Sequence, residues 1–96
     1  MLSKIPINLD RVGKGETDKE ILRAGIIAEL DAINLYGQMA AMAKDENIKK
    51  ILLDIAKEEK TYVGEFLSLL LRKDEEQRIE MEEGKKSEQD HFFAIM

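Results

Sequence analysis

Two glutamates stand alone in otherwise apolar stripes, and the chemistry available to them is that of hard, anionic oxygen ligands. Leu22, Ile26, Glu29, Ile33, Tyr36, Ala40 and Ala43 follow the alternating three-and-four spacing of one helix face, with Glu29 the one charge among them. Ile48, Leu52, Ile55, Glu59, Tyr62, Phe66 and Leu69 repeat the pattern, and the one charge is again a glutamate. A carboxylate in an apolar stripe is costly unless paired, and a second one beside it raises the cost. Neither stripe contains a Lys or Arg to neutralise the pair. A metal cation is therefore the economical counter-charge, and carboxylate oxygens suit iron, manganese, magnesium or calcium. Two other solutions are a helix tilt that lets one glutamate reach water, and a lysine supplied by another subunit.

The elements that must position these glutamates are two helices and the turn between them. If the chain reverses between Lys44 and Asn47, residues whose numbers sum to about 88 lie at equal height, so Ile33 faces Ile55, Tyr36 faces Leu52 and Glu29 faces Glu59. Thr17 with Glu20 three residues on reads as a capping box that opens the first helix near Asp18, and this helix is expected to reach Ala43. Gly25 and Gly37 inside it each cost about 1 kcal/mol relative to alanine, which points to close packing, the alternative being ordinary tolerance of glycine. Asp45 or Asn47 can cap the second helix, which continues to about Arg72. Asp74 followed by Gln77 repeats the capping logic, so a short third helix is expected over 75–83, stopping at Gly84. It is nearly all charged, a solvated element or, alternatively, an acidic funnel for cations.

The chain divides into an extended arm over 1–16, a helical domain over 17–84 and a tail over 85–96. Pro6, Gly13, Gly15 and the alternation of Ile5, Ile7 and Leu9 argue for the arm. The tail ends in Phe92, Phe93, Ala94, Ile95 and Met96, an apolar cluster that docks on a neighbouring subunit or a separate protein, or is a remnant of processing. His91 is the only histidine and lies far from both stripes, which makes it a tail residue rather than a ligand.

Composition narrows the function classes. With 96 residues, 36% charged and 44% hydrophobic, the sequence reads as one soluble helical domain. The net charge of −5 and the interleaving of Lys with Glu argue against nucleic acid as a partner. The longest run without a charged side chain, Ala32 to Ala43, is far short of the roughly 20 apolar residues that span a bilayer. No apolar signal core opens the sequence and cysteine is absent, so the cytoplasm is the expected compartment. A two-helix hairpin of this length cannot bury both apolar faces alone, and a second small-residue face on the first helix (Ile27, Leu30, Asn34, Gly37, Ala41) admits a close neighbour. The expected assembly is a homo-oligomer built on a two-fold four-helix bundle.

The segments AELDAINLYGQMA (28–40) and DENIKKILLDIAKEEKTYVGEFLSLLLR (45–72) resemble encapsulated ferritin-like proteins, a rubrerythrin-related branch of the ferritin-like superfamily. The resemblance covers roughly 17–84. It implies an all-α fold, one antiparallel hairpin plus a short third helix per chain, dimerising into a ferritin-like four-helix bundle with a di-iron centre between chains. It further implies dimers assembled into an annular decamer inside an encapsulin shell. The family's first-helix Glu falls on Glu29, and the Glu of its second-helix Glu-x-x-His falls on Glu59. The histidine falls on Tyr62, which is a departure. Asp31 matches an acidic residue on the path by which metal reaches the centre, and Tyr36 matches an aromatic beside it.

Tyr62 has three readings. As tyrosinate it is a hard ligand suited to ferric iron; swung away, it leaves two carboxylates per chain and a site for calcium, magnesium or manganese; as a packing residue, it hydrogen-bonds a glutamate. The resemblance thus implies a ferroxidase that oxidises Fe(II) to Fe(III), with Glu29 and Glu59 from two chains bridging two irons, as encapsulin cargo for iron storage. The competing expectation is a non-catalytic assembly module that keeps a divalent ion and has lost oxidation with the histidine.

Overall fold

The computed structural model describes residues 16–96 and is all-α: α1 spans Thr17–Met42, α2 Glu46–Lys73 and α3 Glu75–Ile95. The arm expected over 1–16 lies, apart from Glu16, outside the described residues. Asp45 caps α2, its Oδ1 accepting from the backbone N–H groups of Asn47 at 2.8 Å and Ile48 at 3.0 Å. Glu46 in the first turn and Arg72 and Lys73 in the last complement the helix dipole. Asp74 alone joins α2 to α3 and caps the latter, accepting from the Gln77 N–H at 2.9 Å.

Two helix limits differ from expectation. Thr17 is not the N-cap of α1: it is already helical, and the N-cap is Glu16, in a helical conformation and without a side-chain capping bond of its own. A capping box requires its Ser or Thr to stand outside the helix. The second difference is larger, because α3 runs through Gly84 and takes the expected tail with it as far as Ile95. Gly84 stops a helix only by adopting positive φ, which no described glycine does. Its flanks, Glu82, Glu83, Lys85 and Lys86, are strong helix formers that outweigh one glycine.

α1 and α2 pack along their lengths as the expected antiparallel hairpin, while α3 leaves at the elbow and touches α2 only briefly. A Cβ placed on Gly25 would lie 3.4 Å from the Phe66 ring, so this glycine does mark a close approach. Gly37 does not, having open space around it within the chain. Lys73 meets Asp18 at 3.9 Å near the open end. Both cross-hairpin contacts lie within about one helical turn of the expected pairing, since long side chains lean toward their own helix N-terminus.

The core is small. Leu22 and Leu70 are buried toward the elbow, and Ala40 and Ala56 toward the turn. Between them the hairpin is half-open, and Ile27, Leu30, Ile48, Ile51 and Leu69 are exposed. From Arg78 onward every residue of α3 is exposed, including Phe92 and Phe93, whose rings meet edge to face at 5.9 Å.

Candidate metal centre

Glu29 lies in the middle of α1 and Glu59 in the middle of α2, both half-buried and both on the stretch between the two buried patches. The hairpin register brings them to within about a turn of one another along the axis. One oxygen of Glu29, Oε2, is shut off from solvent and has no hydrogen-bond partner among the described residues. Neither glutamate forms an ion pair with a described Lys or Arg. A shielded carboxylate oxygen without a donor is costly, and a cation is one of the few ways to relieve it.

The other sequence candidates are arranged unequally. Tyr62, one turn beyond Glu59, is 41% exposed and its hydroxyl has no partner among the described residues. Within one chain it is therefore neither a core residue nor hydrogen-bonded to a glutamate. Tyr36 and Asp31 are half-buried on α1, and Asp31 has an interaction within the chain. His91 is exposed on the last turns of α3.

No three His, Cys, Asp or Glu side chains converge among the described residues. One chain thus offers two carboxylates, at most four oxygen donors, fewer than the six or so that such cations take. The donor set fits iron, manganese, magnesium or calcium in chemistry, and a second copy packed beside the two glutamates would double it. The chain by itself does not complete a centre.

The charged contact that sequence reasoning missed is at the elbow. The Arg23 guanidinium on α1 donates to Asp74 Oδ2, whose carboxylate also caps α3. The Gln77 backbone N–H, with Lys19 and Arg23 nearby, holds the Asp74 carboxyl below its ordinary value of 3.8. Its only sequence signal was the capping pattern, since the partner lies 51 residues away.

An all-helical hairpin with one lone glutamate in the apolar stripe of each arm shares with ferritin-like helical proteins the carboxylates on facing helices, though Tyr62 stands where their Glu-x-x-His ends. Comparison with known proteins narrows this further: the EncFtn-like family matches residues 8–88, and the chain belongs to it. It is 58% identical over 86 residues to a ferritin-like-encapsulin shell fusion protein from Pyrococcus furiosus, covering 88% of this chain and 25% of that one. It is 41% identical over 64 residues to the encapsulin nanocompartment cargo protein EncC from Myxococcus xanthus, covering 64% of this chain and 49% of that one. The chain therefore spans about a quarter and about half of these two relatives. The crystal structure of an encapsulated ferritin domain from Pyrococcus furiosus superposes with a TM-score of 0.75 at 53% identity, covering 91% of this chain and 89% of that one. No helix among the described residues is long and apolar enough to cross a membrane.

Proposed function

We propose that two copies of this chain form a ferroxidase, in which Glu29 and Glu59 of each copy take Fe(II) as substrate, and that the assembly is cargo of an encapsulin shell. The observation that carries the reading is Glu29 Oε2, shielded and without a donor among the described residues, with Glu59 about a helical turn away along the hairpin axis. Family membership and the names of the two relatives support the shell as partner and the inside of its nanocompartment as location.

The glutamates bind as anionic oxygen donors and, related by a two-fold axis, hold two ions side by side. Binding neutralises four carboxylates that otherwise repel one another. Each pair of ferrous ions gives up two electrons, and dioxygen with two protons takes them as hydrogen peroxide. Tyr62 stands at the rim of this space, able to offer its phenol oxygen once a second copy covers it. Asp31 leads the ion in, and Tyr36 shapes the wall beside the carboxylates.

The exposed, unpartnered phenol of Tyr62 supports a second reading, in which the fold and a divalent ion remain but oxidation is lost. Anaerobic addition of Fe(II) followed by air separates the two. Rapid ferric absorbance at two irons per dimer is the expected result, and oxidation no faster than in the Glu29→Ala, Glu59→Ala double variant gives the assembly module. Tyr62→Phe reports on the phenol: loss of a visible phenolate-to-iron band means Tyr62 touches the metal, and an unchanged spectrum means it does not.

A further inference from the structure

The α2–α3 elbow carries a second charged feature, on the lining of an open groove of about 470 Å³. Ser68, Leu71 and Arg72 from the last turns of α2 form one wall, and Glu75 and Arg78 from the first turn of α3 form the other. Ser68 and Arg72 are four residues apart and share a helix face. Arg72 has no ion pair or hydrogen bond among the described residues, and neither has the Ser68 hydroxyl. Among the described residues the Arg78 guanidinium meets only Glu75, at 3.7 Å, beyond hydrogen-bond length. Two guanidinium forks with unspent donors thus share one groove with a hydroxyl, in a chain whose net charge is −5. The dipole of α2 accounts for a cation at Arg72, but it does not account for Arg78 facing the same space from the next helix.

We propose that this groove is an oxyanion site for inorganic phosphate, independent of the carboxylate pair. Arginine is the side chain best matched to phosphate, offering parallel N–H donors to two oxygens at once. Phosphate between Arg72 and Arg78 relieves their mutual repulsion, and the Ser68 hydroxyl donates to a third oxygen. Glu75 opposes the ligand, because its carboxylate lines the groove and competes for Arg78.

Titration calorimetry of the full chain with inorganic phosphate, in chloride buffer at constant ionic strength, tests the assignment. Saturable binding of one phosphate per chain is expected. Arg72→Ala and Arg78→Ala each weaken it by about tenfold or more, as expected for a lost hydrogen bond to a charged group. Glu75→Gln tightens it several-fold, an effect that damage to the elbow would not produce and that stands even if Arg78→Ala fails to fold. Heat indistinguishable from that of added chloride overturns the proposal, as does wild-type affinity in both arginine variants. If Arg72→Ala changes the oligomer mass but not phosphate binding, the groove is an interface for acidic side chains of another copy, and the phosphate assignment falls.

Discussion

At the scale of single residues, Glu29 carries opposite consequences in the metal-free and metal-bound protein. With no donor on Oε2, its charge is a liability until a cation arrives. Glu29→Gln should therefore stabilise the chelated protein by about 1 kcal/mol while weakening metal binding, read as a higher melting temperature with chelator and a smaller metal-induced rise without it. Equal melting temperatures of the two chelated proteins would show that the oxygen meets a donor in solution. Tyr62 gives a complementary test, because Tyr62→His would create the Glu-x-x-His that the resemblance implies for the site. This variant should bind Fe(II) more tightly and oxidise it faster, imidazole being a better ferrous ligand than a neutral phenol. No gain in either would favour the assembly module. The two glutamates were legible in the sequence because a lone charge in an apolar stripe stands out by periodicity alone. The exposure of Tyr62 was not legible, since the stripe marks a face and not whether this chain or another covers it.

At the scale of elements, the helix ends hold the architecture. Asp45 satisfies two backbone donors at the start of α2, so Asp45→Ala should cost about 1 kcal/mol in chemical denaturation, with the hairpin retained. Asp74 has three tasks, closing α2, capping α3 and pairing with Arg23. Its carboxyl is held below the ordinary 3.8 mainly by the Gln77 N–H, so the folded state binds its proton less readily than the unfolded state. The contribution of its charge is therefore complete above 3.8 and is lost as the pH falls through the lower folded value. Asp74→Asn keeps a capping oxygen, and should melt below the wild type at neutral pH but together with it in strong acid. A constant gap across that range would mean that the ionised form has no special role. Asp45 and Asp74 were readable as caps because the signal is local. Thr17 and Gly84 misled because a Ser/Thr-x-x-Glu pattern does not fix which residue leaves the helix, and one glycine among helix formers is a cost and not a stop.

At the scale of the whole molecule, the chain looks like part of something larger. Its radius of gyration is 17.0 Å, against roughly 13 Å for a compact domain of about this size. Only two leucines and two alanines are buried among the described residues, while isoleucines and leucines of α1 and α2 face outward. The sequence announced this shortfall through chain length and two-sided apolar patterning. The carboxylates and the open faces then become one problem. In the proposed dimer, a two-fold axis beside Glu29 and Glu59 would bring together four glutamates, and hydrophobic association would have to work against their repulsion. On that reading, metal would reverse the sign of that contribution and couple assembly to binding. Light scattering should accordingly show a mass that falls on chelation and recovers on addition of Fe(II) or Mn(II), with the melting temperature falling and recovering in step. Glu29→Gln with Glu59→Gln should uncouple the two, assembling without metal because the repulsion is gone. If the chelated wild-type protein keeps both its mass and its melting temperature, the apolar faces alone hold the assembly and the carboxylates lie apart from the interface.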